Sequence, residues 1–108
     1  MKIIFGKPYI TDKEINEVVD SLKKGWLGKG PKVDKFEKDF SKYTGFKYCV
    51  ALNSCSAGLF LGLKSFGIGC GDEVITSPMT FAATVNAIVA TGARPIFVDV
   101  KKNIGIID

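Results

Sequence analysis

The chain has 108 residues, 46% of them hydrophobic and 24% charged, and these proportions indicate a soluble globular domain rather than a disordered segment. No stretch approaches the roughly 20 consecutive apolar residues of a membrane span, and the start of the chain turns polar too early for a signal peptide. We therefore expect a cytoplasmic protein with no membrane partner.

The sequence contains no histidine and three cysteines, Cys49, Cys55 and Cys70, which form no CxxC pair. The absence of histidine excludes Ser-His and Cys-His nucleophile pairs and most catalytic zinc sites. An odd number of cysteines without metal-ligand spacing favours neither a disulfide framework nor a zinc site. We expect no bound metal, so any chemistry must come from another group.

The formal net charge of +4 arises in the first half of the chain, where lysines outnumber acidic residues. A basic excess of this kind can indicate binding of phosphate or nucleic acid. In the segment KVDKFEKDFSK, however, lysines alternate with acids along a predicted helix, which is more typical of a solvated helical face. We therefore expect no nucleic-acid partner.

Two amphipathic helices are predicted after an extended start. Thr11 and Glu14 form a capping box, and Gly25 can end the helix that follows. Pro31 suits the first turn of the second helix, which stops at Gly45. The apolar positions at helical spacing are Ile15, Val18, Val19 and Leu22 in the first helix, and Val33, Phe36, Phe40 and Tyr43 in the second.

The second half of the chain changes to an alternation of strands and helices. Short apolar runs predict strands at 48–52, 73–77 and 96–100, and the segments 56–66 and 80–91 between them predict helices. Apolar strands that alternate with helices indicate a parallel sheet covered on both faces. The predicted fold class is therefore α/β, with a βαβαβ order preceded by two helices.

Three parallel strands with two crossover helices leave both edges of the sheet open. The last residue, Asp108, is of a type that suits the cap of a further helix. We therefore expect the chain to be the incomplete start of a longer protein, and a complete small α/β domain is the alternative.

Two loops follow predicted strands and lead into helices, which is where open parallel sheets bind ligands. The first is NSCSAG, residues 53–58, and the second is SPMTF, residues 77–81. A helix start favours an anion such as phosphate, and the hydroxyls of Ser54 and Ser56 can add donors. The residues alone leave a second interpretation equally open, in which Asn53 or Ser54 only caps the helix.

Two other side chains near these loops have alternative interpretations. Phe81 could stack on a planar ligand, although one phenylalanine at a helix start is more often part of a core. Cys55 lies near a helix start, which can lower a thiol pKa, but a nucleophilic role is disfavoured because no histidine base is present. The run GIGCG lies between a helix and a strand, the reverse of a dinucleotide-binding fingerprint.

Three stretches follow one another along the chain: GWLGKGPKVDKFEKDFSKYTG, NSCSAGLFLGLKSFGIGCGDEVITSPMTFAATVNAI and GARPIFVDV. Together, and in this order, they resemble the N-terminal part of the DegT/DnrJ/EryC1/StrS family of sugar aminotransferases. The resemblance implies the start of the three-layer, parallel-sheet large domain of a fold type I pyridoxal-phosphate-dependent transferase. Residues 1–30 would form an N-terminal arm and helix, and residues 31–108 the first part of the large domain.

The resemblance also implies a function and a set of site residues. Family members use pyridoxal 5′-phosphate to move an amino group from glutamate to a nucleotide-linked keto sugar, and they work as homodimers. Ser56 and Ala57 match the phosphate-cradling positions, Phe81 matches the ring-stacking aromatic residue, and Trp26 and Leu27 match a segment near the sugar-nucleotide site. For Trp26 and Leu27, a turn with a buried anchor is the alternative.

The catalytic lysine and the aspartate that pairs with the pyridinium nitrogen occur later in family sequences. None of the lysines here stands in the context of the cofactor-linked lysine, so we expect binding residues and no catalytic residue in this segment. Two alternatives remain: a sugar dehydratase of the same fold, with histidine at the lysine position, and a truncated, non-catalytic relative that binds only phosphate or a partner chain.

Overall fold

A computed structural model describes residues 6–108 of the chain. Two compact units are present, the first ending at Ala51 and the second running from Leu52 to Asp108. The extended start predicted before Thr11 lies partly outside the described residues. The division predicted after residue 30 concerns the domains of the whole fold and stays a prediction.

The first unit contains helix α1, Asp12–Lys23, which begins directly after the predicted cap Thr11 and ends two residues before Gly25. The capping box is confirmed, because a carboxylate oxygen of Glu14 accepts the backbone N–H of Thr11 at 2.6 Å while the Thr11 hydroxyl caps the first turn. At the other end, Gly25 has φ +73°, and the N–H of Trp26 reaches back to the carbonyl of Ser21 at 3.0 Å. This left-handed glycine satisfies the last carbonyls of α1 and reverses the chain.

Helix α2, Pro31–Thr44, follows in the same unit, with Gly30 as its N-cap. It ends at Gly45, where φ is +77° and the glycine N–H donates to the carbonyl of Ser41 at 2.9 Å. The ammonium group of Lys32, in the first turn of α2, lies 3.0 Å from a carboxylate oxygen of Asp20 in α1. This ion pair joins the two helices.

The second unit contains α3 (Cys55–Ser65), β1 (Glu73–Thr76), α4 (Ala82–Thr91) and β2 (Arg94–Phe97). Strands β1 and β2 pair in parallel, and α4 packs against both strands and against α3. The small core of the described residues forms where α4 meets the strands; its members are Thr76, Ala87, Ile88, Thr91 and Ala93. The predicted parallel α/β arrangement is therefore confirmed for β1, α4 and β2.

The strand predicted at 48–52 is wrong for the part of the chain that the structure describes. These residues form no ladder with another segment, and Val50 is 73% exposed. An apolar run gives a segment β-propensity, but a strand also needs a neighbour to accept and donate its backbone hydrogen bonds. No such neighbour for 48–52 exists among residues 6–108.

The last strand lies earlier than predicted, at Arg94–Phe97 instead of 96–100. The N–H of Arg94 donates to the carbonyl of Asp72 at 2.9 Å, and that of Val98 donates to the carbonyl of Thr76 at 3.0 Å. Pro95 lies between these donors and lacks an N–H, but alternate residues of a strand point their N–H groups to opposite sides. The proline is therefore tolerated on the side of β2 that faces away from β1.

The chain then makes a reverse turn. The N–H of Lys101 donates to the carbonyl of Ile106 at 2.9 Å, and Val100 and Ile107 form an antiparallel bridge. Within residues 6–108, no helix is long and apolar enough to cross a bilayer.

A close approach between Gly92 and Cys70 fixes the turn from α4 into β2. Gly92 has φ +90°, and a Cβ built on it would lie 2.8 Å from the Sγ of Cys70. The position therefore requires glycine for two separate reasons, its backbone conformation and its lack of a side chain.

We expect Gly92→Ala to destabilise the protein more than Gly67→Ala does. Gly67 has φ +78° and nothing within 4 Å of its added Cβ, so that variant costs only the left-handed conformation, about 1–2 kcal/mol. Gly92→Ala adds a steric clash of about 1–3 kcal/mol. Urea denaturation of the protein expressed from its complete reading frame measures the difference. Cys70→Ala should recover the excess loss, and equal midpoints for the two glycine variants would contradict the steric argument.

Candidate functional site

The start of α3 is held by Ser54, one of the two capping residues considered from the sequence. The Ser54 hydroxyl accepts the backbone N–H of Ala57 at 3.2 Å, and its carbonyl accepts the N–H of Gly58 at 3.2 Å. Two of the donors in the first turn are thereby satisfied within the chain. The capping interpretation of this loop is correct for Ser54.

Two donors of the same turn remain open. Among residues 6–108, the N–H groups of Cys55 and Ser56 make no hydrogen bond, and neither does the exposed Ser56 hydroxyl. The positive end of the helix dipole adds to these donors. Capping and anion binding are thus compatible, because Ser54 uses the N–H of Ala57 and leaves those of the two preceding residues.

Phe81 is the N-cap residue of α4 and lies at the carboxyl-terminal side of β1. Its side chain is 82% exposed, so the ring is not part of the core of the described residues. Its carbonyl accepts the N–H of Thr84 at 3.0 Å, and the hydroxyls of Thr80 and Thr84 lie 3.2 Å apart. These bonds fix the backbone that carries the ring while the ring itself stays accessible.

A cleft of ≈ 280 Å³ separates the faces of α3 and α4. Its lining residues are Ser56, Phe60, Ala83, Asn86, Ala87 and Ala90. The structure thus brings Ser56 to the same cleft as Ala83 in the first turn of α4, and Phe81 lies outside this lining. Asn86 is an addition that the sequence analysis missed; the available signal was the single amide in a helix whose other residues are alanine, valine, isoleucine and threonine.

Trp26 and Leu27 lie in the first unit, in the loop between α1 and α2. The indole packs on Gly30, where an added Cβ would lie 2.8 Å from the Cε3 atom of Trp26. Trp26 is nevertheless 51% exposed, and Leu27 is 81% exposed. Trp26 therefore anchors the turn through one part of its ring and leaves another part open, while Leu27 projects from the tip of the loop.

Clefts flank the indole. One of ≈ 270 Å³ is lined by Ser21, Lys24, Trp26, Gly28, Gly30, Pro31, Lys32 and Val33. The ammonium groups of Lys32 and Lys24 border this cleft, and each lies 3.0 Å from the carboxylate of Asp20. Their hydrogen bonds lower the pKa of the Asp20 carboxyl. A hydrogen bond from Lys32 to Glu17 is the main reason why the pKa of Lys32 is raised. The border of this cleft therefore carries paired charges.

Glu37 is a further residue that the sequence analysis missed. One carboxylate oxygen accepts the N–H of Ala51 at 2.9 Å, and the other accepts from the ammonium of Lys29 at 3.1 Å. The Ala51 N–H and then Lys29 hold the pKa of Glu37 below its ordinary value, and Glu37 in turn raises the pKa of Lys29. The carboxylate joins the loop that carries Trp26 to the segment that follows α2.

The second unit thus combines a parallel β1–α4–β2 element with a helix start whose open N–H donors border the cleft between α3 and α4. The sequence profile of the DegT/DnrJ/EryC1/StrS aminotransferase family matches residues 8–108. The chain belongs to this family, and the resemblance found in the sequence is confirmed.

Two curated relatives show the range of the match. The spore coat polysaccharide biosynthesis protein SpsC of Bacillus subtilis is 56% identical over 99 residues, which cover 92% of this chain and 25% of SpsC. The UDP-4-amino-4-deoxy-L-arabinose–oxoglutarate aminotransferase of Shewanella sediminis is 46% identical over 94 residues, 87% of this chain and 24% of that protein. The chain spans about a quarter of the length of these relatives.

The solved structures agree with the sequence comparison. Spr1654 of Streptococcus pneumoniae, described as a sugar aminotransferase, superposes in its PMP form with a TM-score of 0.94 at 42% identity. The match covers 100% of this chain and 27% of Spr1654, whose PLP form gives the same TM-score. The predicted fold is therefore confirmed, and the predicted cofactor agrees with the two forms of Spr1654.

We expect the Glu37 carboxylate to stabilise the protein in a pH-dependent way. Because its folded-state pKa lies below the unfolded-state value of about 4.3, its contribution is complete above that value. The contribution is lost as the pH falls through the folded-state pKa. Denaturation midpoints of wild type and Glu37→Gln, measured between neutral pH and about pH 3, should converge as the pH falls. Midpoints that stay equally separated down to the lowest pH would contradict the lowered pKa.

Proposed function

We propose that the protein acts as a pyridoxal-phosphate-dependent aminotransferase, which moves an amino group from glutamate to a keto sugar carried on a nucleoside diphosphate. Family membership supports the reaction class, and the names of SpsC and the arabinose aminotransferase support a sugar substrate. As the resemblance implies, we propose a homodimer as the working form. The observation in this chain that supports the proposal best is the helix start at Cys55, with its open donors beside a helix cleft.

The residues present fit the phosphate end of the cofactor. The N–H groups of Cys55 and Ser56 and the Ser56 hydroxyl are donors without acceptors among the described residues, and they lie at the positive end of α3. Ala57 lacks a side chain large enough to crowd this turn. Since its N–H is engaged by Ser54, we propose that Ala57 contributes space rather than a hydrogen bond.

We propose that the exposed ring of Phe81 packs on the planar ring of the cofactor. The ring stands at the start of α4, and an offset or edge contact between aromatic rings adds about 0.5–1.5 kcal/mol to the burial of their surface. When bound, pyridoxal phosphate supplies an electron sink for the transfer of the amino group. In this segment we propose that the side chains bind and orient, and we assign no catalytic residue to it.

For the sugar nucleotide we propose the loop of Trp26 and Leu27. The half-exposed indole and the exposed Leu27 side chain provide apolar surface beside clefts, which is the usual composition of a site that binds a planar or partly apolar group. Formation of 2-oxoglutarate from glutamate and a nucleotide-linked keto sugar, by the protein from its complete reading frame, tests the overall reaction. Failure across uridine- and thymidine-linked keto sugars would contradict it.

Replacing the Ser56 hydroxyl should separate cofactor binding from folding. We expect Ser56→Ala to weaken pyridoxal phosphate binding by about 1 kcal/mol or more, because a hydrogen bond to a charged group is lost. Stability without cofactor should change by less than about 0.5 kcal/mol, since the hydroxyl bonds to nothing in the described chain.

The matched control is Ser54→Ala, which should lower stability without cofactor by about 1 kcal/mol through loss of the cap. Cofactor titration followed by absorbance, combined with urea denaturation of the cofactor-free protein, measures both quantities. Unchanged cofactor affinity in Ser56→Ala would contradict the phosphate role.

Phe81→Ala should also weaken cofactor binding, by about 0.5–1.5 kcal/mol or more, because the stacking contact is lost. The ring is largely exposed, so we expect little change in the stability of the cofactor-free protein. Phe81→Tyr keeps an aromatic ring and serves as the control. A large loss of stability without cofactor in Phe81→Ala would instead assign the ring to the core of the complete protein.

A further inference from the structure

The loop between α1 and α2 is held at three places. At its start, the N–H of Trp26 is bonded to the end of α1. The Trp26 indole lies across the loop on its last residue, Gly30, and Lys29 bonds to a carboxylate of α2. The Lys29 ammonium lies 3.1 Å from Glu37 and 3.5 Å from Asp34. A loop of sequence GWLGKGP has three glycines, so without such ties it would sample many backbone conformations.

Of these interactions, the ion pair between Lys29 and Glu37 has the acceptor that is held most firmly by other contacts. The Glu37 side chain is only 15% exposed, whereas that of Asp34 is 53% exposed. Its other carboxylate oxygen accepts the N–H of Ala51, so the carboxylate is also bonded to a segment outside the loop. An ion pair with a shielded, doubly bonded carboxylate restrains a loop better than one between two exposed side chains.

We propose that Glu37, acting through Lys29, is a positioning residue that holds the loop 26–30 ready to bind the nucleotide-linked sugar. This inference rests on the proposed function, because the substrate of the loop is taken from it. A loop that is ordered before binding loses less conformational entropy on binding, so its ties raise affinity without touching the substrate. Glu37 and Lys29 would thus affect substrate binding and not the chemical step.

The test compares Lys29→Met with Lys35→Met. Methionine keeps an unbranched side chain at position 29 while removing the charge. Lys35 pairs with Asp39 on an exposed face of α2 and has no tie to the loop, so it provides a matched control. The first measurement is the ¹⁹F resonance of 5-fluorotryptophan at position 26, assigned by its loss in Trp26→Phe. The second is the set of kcat and KM values for the sugar nucleotide and for glutamate.

We expect Lys29→Met to shift or broaden the Trp26 resonance and to raise KM for the sugar nucleotide about threefold or more, as loss of an ion pair of this kind predicts. The values of kcat and of KM for glutamate should stay within about twofold, and Lys29→Arg should restore the wild-type values in part. Lys35→Met should leave the resonance and all kinetic values unchanged.

Two results would overturn the inference. One is an unaltered Trp26 resonance together with an unaltered KM for the sugar nucleotide in Lys29→Met. The other is an equal loss in kcat and in both KM values, which would indicate a general structural role. Absence of transferase activity in wild type contradicts the proposed function separately. In that case the positioning role is tested by titration with uridine diphosphate, followed through the Trp26 resonance. Equal affinity of wild type and Lys29→Met for uridine diphosphate would overturn the positioning role.

Discussion

The proposed site in the second unit depends on two backbone N–H groups at the start of α3. A helix leaves its first donors without intrahelical acceptors, and here Ser54 satisfies only the later ones. The N–H groups of Cys55 and Ser56 therefore require water or a ligand. A phosphate meets this requirement with charge as well as with hydrogen bonds, and the small residues of the turn leave room for it. In the proposed function, the same turn serves folding through Ser54 and anion binding through the residues after it.

The helices were predictable from the sequence because their signals are local. Capping residues and the glycines Gly25, Gly45 and Gly92 lie within a few positions of the ends that they define, and the structure places left-handed backbone at all three. The same holds for Ser54 at the start of α3. What the sequence could not decide is which turn donors remain open after capping, since this depends on which N–H the hydroxyl of Ser54 accepts.

The features that the sequence predicted wrongly or left undecided depend on contacts between residues far apart in the chain. The segment 48–52 has the composition of a strand, but whether it becomes one depends on a neighbour that no local pattern specifies. Glu37 was missed for a related reason. It lies in a helix whose alternating charges indicated a solvated face, and only the structure shows that its acceptors serve Lys29 and Ala51, 8 and 14 residues away in sequence. Phe81 depends on tertiary structure as well, because a phenylalanine at a helix start can be buried or exposed with the same local sequence.

The two proposed binding regions rely on different interactions, and they therefore differ in how they respond to salt. At the start of α3, most donors belong to the backbone, so binding of an anion depends on the helix being formed and only weakly on side-chain identity. The loop of Trp26 depends instead on side chains: an indole on a glycine, and Lys29 on a shielded carboxylate. Ion pairs of this kind are screened by salt, whereas backbone donors at a helix start remain in place as long as the helix does. Changes in ionic strength should therefore affect the order of the loop more than the geometry of the α3 turn.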